Sequence, residues 1–303
     1  HYGRTPPCAL RLIEAGVSRV VIAMLDPNPQ VAGKGVKMLE QAGIQVDVGL
    51  LEQDARALNL GFLSRMERQR PFVQVKLAAS LDGKTALKNG ESKWITGSEA
   101  RADVQLHRAL ACAVLSTAQT VLADDAKLNV RKSELAFPYP DTQHISQIRQ
   151  PVKVILDGRG QLTASHVESL GLFQSQDKVV LVRQTSTEEF EKFPFIQVHL
   201  APYKTGTGFD LASLLNWCYR QELGMIWVEA GARLAASFVE QREFDELIVY
   251  QAPKILGCEG REMLPIGPLS AMSDTLELSI KDIRQVGNDM KTTYGKIDNQ
   301  RKI

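Results

Sequence analysis

The sequence predicts an α/β protein: a mostly parallel sheet with helices on both faces and a C-terminal antiparallel hairpin, preceded by a smaller α/β segment. Three observations predict it. Short β-branched runs such as VKVILD (152–157), KVVLVR (178–183) and DELIVYQA (245–252) are bounded by turn-forming residues, as buried strands are. These runs alternate with segments of helical periodicity, which is the pattern of strands joined by crossovers. At 303 residues and 44% hydrophobic content, the chain is long enough for two domains with separate cores.

The elements follow in order. HYGRTPPC (1–8) is polar and broken by two prolines, so it reads as a loop. SRVVIAML (18–25) is a strand that stops at DPNP, AGKGVKMLEQAG (32–43) a helix ending on Gly43, and IQVDVGLL (44–51) a second strand, parallel to the first. A helix over 52–67 leads into the basic, polar ERQRP, where the domain boundary is expected, giving domains 1–69 and 70–303. FVQVKLAAS (72–80) alternates apolar and polar residues, as a strand with one core face and one polar face does. TGSE places Thr96 three residues before Glu99, a capping box for a helix to about Ala111. Strands are predicted at 113–116, 152–157, 178–183, 195–199, 225–229 and 245–252, and helices at 210–222 and 233–241. LELSIKDIRQ and MKTTYGKI around the turn GND form the closing hairpin at the sheet edge.

Charge narrows the partners. Lys and Arg number 36 against 35 Asp and Glu, with no long run of one sign, so neither nucleic acid nor an acidic membrane surface is expected. No apolar stretch approaches the roughly 20 residues that span a bilayer. Cys8, Cys112, Cys218 and Cys258 lack CxxC spacing, so a disulfide framework is not expected and a reducing cytoplasm is the expected location. The expected partner is a small molecule.

Ligands of such sheets sit beyond the carboxyl ends of the strands. Four exits carry candidate residues: KLAASLDGKTA with Lys76, Asp82, Gly83 and Lys84; GESKWITG with Ser92 and Trp94; TVLADDAKLNVR with Thr120, Asp124, Asp125 and Arg131; and WVEAGARLAASF, where Glu229 ends a strand and Gly231 opens a helix. Free amides at that helix start suit a phosphate, although a single glycine there is equally the mark of a turn that binds nothing. Neither GxGxxG nor a Walker loop occurs. Taken singly, each residue has a plain alternative: Lys76 snorkels from its strand, Asp82 forms a turn with Gly83, Asp124 and Asp125 cap a turn, and Arg108 and Arg131 make surface salt bridges. His107, His144, His166 and His199 lie in no metal-ligand spacing and receive no role.

The combination is informative. VKLAASLDGKTA, GESKWITG, TVLADDAKLNVR, VEAG and DELIVYQAPKILG stand in the order and rough spacing of the reductase domain of the bifunctional riboflavin-biosynthesis deaminase/reductase family, which the chain resembles from residue 71 to about 290. HYGRTPPC resembles the end of that family's zinc motif, Pro-Cys-x-His-x-Gly-x-Thr-Pro-Pro-Cys, and residues 9–68 look like the rest of a cytidine-deaminase-like domain. The resemblance makes Cys8 a remnant zinc ligand, with His1 and Arg4 at substrate-facing positions. It places the other ligands and the general acid/base Glu before residue 1. The expectation is therefore that these 303 residues neither hold catalytic zinc nor deaminate, while the intact parent does both.

For the second domain the resemblance implies a dihydrofolate-reductase-like fold. It also implies NADPH-dependent reduction of the ribose of 5-amino-6-(5-phosphoribosylamino)uracil to ribityl, in a homodimer. Ala78, Trp94, Thr120, Asp124, Gly158 and the turn Gly231, Ala232, Arg233, Leu234 then match cofactor-binding positions. Ser92, Arg108, Leu128, Arg131 and Glu229 match the substrate side, and Lys76, Asp82 and Glu229 are the catalytic candidates. Arg159 and Arg183 are the candidate partners of a 2′-phosphate. Ala126, where the family often has Pro, and Ala230 and Ala232, where glycines are frequent, depart from the pattern. The rival readings are a related reductase of another pterin or pyrimidine, and a non-catalytic nucleotide-binding remnant.

Overall fold

A computed structural model describes residues 7–135, 148–204 and 208–297. His1 and Arg4 lie outside the described residues. The chain divides into two compact units, His1–Pro71 and Phe72–Ile303.

In the first unit, α1 (Cys8–Glu14), β1 (Arg19–Ile22), α2 (Lys34–Gln41), β2 (Gln45–Val48), α3 (Glu52–Leu58) and α4 (Leu60–Arg68) follow one another. β1 and β2 pair in parallel, Val20 beside Val46, over a small core of Ala9, Leu39 and Ile44. The first strand is shorter than the apolar run 18–25, because DPNP turns the chain early and Asp26 and Asn28 accept from the backbone two residues on. The single helix expected over 52–67 is two helices. Asn59 breaks it, folding its side-chain amide back to Ala55 O at 2.8 Å.

In the second unit, nine strands of the described residues form one sheet. Its members are β3 (Phe72–Ser80), β5 (Ala113–Thr117), β6 (Val152–Leu156), β7 (Val179–Arg183), β8 (Ile196–Leu200), β11 (Met225–Glu229), β12 (Glu246–Ala252), β14 (Leu278–Val286) and β15 (Asp289–Lys296). Their order is β14-β15-β12-β3-β11-β5-β6-β7-β8. From β12 to β8 every neighbouring pair is parallel, and β15 and β14 add the antiparallel hairpin at one edge. Short ribbons β4 (Lys84–Ala86) with β13 (Arg261–Glu262), and β9 (Tyr203–Lys204) with β10 (Gly208–Phe209), stand apart from it.

The period of two sends alternate residues to opposite faces, and each face has its own core. Val73, Val75 and Leu77 of β3 and Val228 of β11 pack with α8 (Leu211–Arg220) and α9 (Ala232–Glu240). On the other face, Trp227, Ile248 and Tyr250 pack with α5 (Ser98–Leu110) and α6 (Ala118–Asp124), and the short α7 (His166–Ser169) adds Val167. Helices thus cover both faces. Gln74, Lys76 and Ala78 of β3 alternate with its core residues and share the α5 side of the sheet.

Two local expectations differ. The α5 cap is Gly97 rather than Thr96, with no side-chain cap bond: Gly97 N–H goes to Asp289 Oδ2 at 2.7 Å, and Arg101 takes the Thr96 carbonyl. TVLADDAKLNVR opens within helix α6, which starts at Ala118 and is capped by Thr117, whose hydroxyl accepts from Thr120 N–H.

Candidate active site

The site grows from β3 and β11, neighbours in parallel register with Lys76 beside Glu229. Glu229 is held from two directions. Arg108 of α5 donates Nε to Oε1 at 2.6 Å and Nη2 to Oε2 at 2.8 Å, and Trp227 Nε1 donates to Oε1 at 2.8 Å. The third guanidinium nitrogen, Nη1, donates to Asn129 O at 2.8 Å. Burial alone would push the Glu229 pKa up, but Arg108, Lys76 and Trp227 outweigh it and hold the carboxyl down at about 2. Glu229 is therefore held as a fixed negative charge.

Lys76 is different. It is half-buried, and its ammonium makes no hydrogen bond or ion pair among the described residues. Burial lowers its pKa, Glu229 opposes that, and Arg108 adds to the lowering. The result is a cation beside a carboxylate already taken by another cation, holding its proton less firmly than an ordinary lysine.

Asp82 behaves as the turn-former of its plain reading. It accepts from Ser80 Oγ at 2.6 Å and from the amides of Leu256 and Gly257 at 3.0 and 2.8 Å, tying the β3 exit to the 253–257 loop. The Ser80 hydroxyl and those amides hold its carboxyl at about 2.

Ser92 and Trp94 are exposed on the loop before α5. Lys254 donates to Trp94 O at 2.6 Å, and the Arg101 guanidinium lies 4.4 Å over the indole. Thr120 lies on the first turn of α6 with its hydroxyl 3.0 Å from that of Thr117, and Asp124 is exposed at the end of that helix. Leu128 is 3% exposed, so its side chain belongs to the core while its backbone, at φ 52°, bends the segment leading to Arg131. The Arg131 side chain makes a bidentate pair with Glu134 and its N–H bonds to Gln105 Oε1.

At the far strand exits, Asp157, Gly158, Arg159, Gly160, Arg183, Gln184 and Thr185 line a recess of about 150 Å³. Arg183 is spoken for: it donates to Asp157, to Glu189 and to the Leu162 carbonyl. Arg159 is exposed and has no charged partner among the described residues. A Cβ on Gly158 would stand 3.0 Å from Tyr203 and 3.2 Å from Phe209, so the two rings pack closely over this glycine. The Gly231 Cα faces open space, and α9 begins there with no side-chain cap, leaving the amides of Ala232 and Arg233 unclaimed by a side chain; Leu234 packs on the core.

Sequence reasoning missed one cluster. Asp103 and His107, one helical turn apart on α5, meet Lys291 of β15 and Tyr250 of β12. The four-residue spacing on α5 was a visible signal, whereas Lys291 and Tyr250 lie far along the chain.

A family model described as the RibD C-terminal domain matches residues 71–292. The chain belongs to the RibD family. It is 45% identical over 295 residues to the riboflavin biosynthesis protein RibD of Haemophilus influenzae, covering 97% of this chain and 77% of that one. It superimposes on Acinetobacter baumannii RibD with a TM-score of 0.85 at 39% identity, over 98% of this chain and 78% of that one. The structure of a diaminohydroxyphosphoribosylaminopyrimidine deaminase/5-amino-6-(5-phosphoribosylamino)uracil reductase from Thermotoga maritima gives a TM-score of 0.81 at 30% identity, over 98% and 76%. The RibD family model spans the two strands and the helix that carry Lys76, Glu229 and Arg108.

Proposed function

We propose that residues 72–303 reduce the ribose of 5-amino-6-(5-phosphoribosylamino)uracil to ribityl, with NADPH as reductant. Family membership and the similarity to the Thermotoga maritima deaminase/reductase support this reading. The observation that carries it is the Lys76 ammonium, without a hydrogen-bond partner among the described residues, beside the locked Arg108–Glu229 pair.

The residues present fit a phosphate-bearing dinucleotide. The uncapped start of α9 at Gly231 and the recess bearing Arg159 both offer donors without an anion to meet them. Ala232, Arg233 and Leu234 at the helix start, with Ala78, Trp94, Thr120 and Asp124, would hold the cofactor, and Arg159 rather than Arg183 would meet a 2′-phosphate. When bound, NADPH supplies hydride to the first carbon of the sugar.

The chain's own residues do the rest. Opening the sugar breaks the bond between its first carbon and the ring oxygen; that oxygen takes a proton, and the exocyclic nitrogen loses one to give the imine. Lys76, with its weakened hold on a proton, gives it to the ring oxygen. The neutral Lys76 amine then takes the proton that the exocyclic nitrogen loses and returns it to that nitrogen when the imine is reduced. Glu229 remains charged throughout and favours the positive charge that develops at the imine. Arg131, reoriented from Glu134, and Ser92 bind the phosphate end. Asp82 holds the loop beyond β3 rather than moving protons.

Residues 1–69 are read as part of the zinc deaminase domain. Cys8 is exposed at the start of α1, and among the described residues no group of three or more His, Cys, Asp and Glu stands together to hold a metal.

The test is NADPH oxidation with the phosphoribosylamino substrate and, separately, with dihydrofolate. Turnover of the first alone supports the proposal; turnover of dihydrofolate alone, or of neither, refutes it.

A further inference from the structure

The cluster under α5 makes no use of the strand-exit crevice, yet it touches the pair that lines it. Lys291 is 3% exposed, and its Nζ donates to Asp103 Oδ2 at 2.5 Å and to His107 Nε2 at 2.7 Å. The Tyr250 hydroxyl donates to the same Asp103 oxygen at 2.5 Å. An ammonium has donors only, so His107 Nε2 must present a lone pair, and the neutral ring carries its proton on Nδ1. That ring lies flat on Trp227, centroids 4.3 Å apart at 8°. Trp227 is fully buried and gives its N–H to Glu229. One hydrogen bond, one ring stack and one more hydrogen bond therefore run from the edge hairpin to the Arg108–Glu229 pair.

We infer that Lys291 and His107 are positioning residues for the reductase site: Lys291 keeps His107 as the neutral Nδ1–H form, and His107, through Trp227, keeps Glu229 and Arg108 in place for substrate. This rests on the proposed reductase activity. The charges around the ring make the arrangement specific. Asp103 and Arg108 stand on its own helix, Glu229 on β11, Tyr250 on β12, Arg284 on β14 and Lys291 on β15. Burial and then Lys291 hold the His107 pKa at about 4, against the opposing pull of Asp103. Removing the Lys291 charge leaves Asp103, 3.8 Å from His107 Nε2, as the nearest ion. The ring then accepts a proton more readily and is drawn toward Asp103, which loosens its stack on Trp227.

The experiment uses the chain with Lys291→Met, Lys291→Arg and His107→Gln. Imidazole ¹⁵N spectra, with His107 assigned by its loss in the Gln variant, report tautomer and titration without any need for activity. The expected result is an Nδ1–H ring in the wild type that stays neutral at pH 6, and a His107 midpoint that is higher in Lys291→Met than in the wild type. Steady-state kinetics should show the KM for the phosphoribosylamino substrate up about tenfold, the size of one lost charge-assisted hydrogen bond, with the NADPH KM unchanged. Lys291→Arg should restore most of it. A proton on Nε2 in the wild type, an unshifted His107 midpoint in Lys291→Met, or equal rises in both KM values overturns the inference. A wild type that oxidises no NADPH sinks the functional reading, while the spectra still decide the Lys291–His107 link. If Lys291→Met does not fold, Lys291→Gln removes the same charge and is read in the same way.

Discussion

Replacing Glu229 by Gln removes a charge while keeping shape, and the structure sets the cost. The Glu229 side chain is 13% exposed and its partner Arg108 10% exposed, so the guanidinium left behind would be a buried, uncompensated cation. Breaking such a pair costs about 3–5 kcal/mol. The depressed pKa gives a similar figure: a carboxyl lowered from 4.5 to about 2 adds about 3 kcal/mol at neutral pH. Because the folded value lies below the unfolded one, that contribution is complete above pH 4.5 and fades as pH falls toward 2. The cost of Glu229→Gln should thus be about 3 kcal/mol at pH 7 and smaller by about 1 kcal/mol at pH 4. Urea unfolding followed by tryptophan fluorescence measures it, since Trp94, Trp217 and Trp227 all lie in the second unit and report on that unit alone. A double Arg108→Met, Glu229→Met variant should lose less than the two single changes together. A cost below about 1 kcal/mol at pH 7, or one that does not change with pH, would show that Arg108 and Glu229 do not form the pair described.

Three further outcomes are expected from kinetics. Lys76→Met should lower kcat by about 10²–10⁴-fold with both KM values near wild type, and wild-type kcat should fall as alkaline pH strips the Lys76 proton; an intact kcat removes it as the proton donor. Arg131→Ala should raise KM for the phosphorylated substrate by about 10-fold or more and leave that for NADPH alone, because it loses a charge-assisted bond to phosphate only; equal rises would show that it does not bind the phosphate. Arg159→Ala should raise the NADPH KM by about 10–100-fold without changing that for NADH, and a wild type indifferent to the two cofactors would dismiss the 2′-phosphate assignment.

The fold was legible wherever a segment's own pattern decided its state. The strands from Phe72 to Ala252 are apolar runs between turn residues, and the hairpin at Gly287 declares itself by its turn. What failed were local signals that tertiary contacts override. Thr96 has the spacing of a cap, but Asp289 reaches across 192 residues to take the Gly97 amide and sets the helix start there. The helix α6 was hidden because it is only seven residues long and its cap, Thr117, ends a strand. In the site, the residue types at 76, 108 and 229 were visible, but their division of labour was not. Glu229 is held charged chiefly by Arg108, 121 residues away, and Asp82 is tied by the neighbouring Ser80 hydroxyl together with amides 174 and 175 residues away.

The place of β3 has a consequence for how the protein is made. It is the first strand of its unit to leave the ribosome, yet it belongs between β11 and β12, and the Val73 amide waits for a carboxylate 172 residues further on. Until then its two hydrogen-bonding edges and its Val73, Val75 and Leu77 side chains have nothing native to meet. Folding of this unit is therefore held back until β11 and β12 have been made, and a nascent chain stalled before Met225 presents an adhesive strand that chaperones must shield.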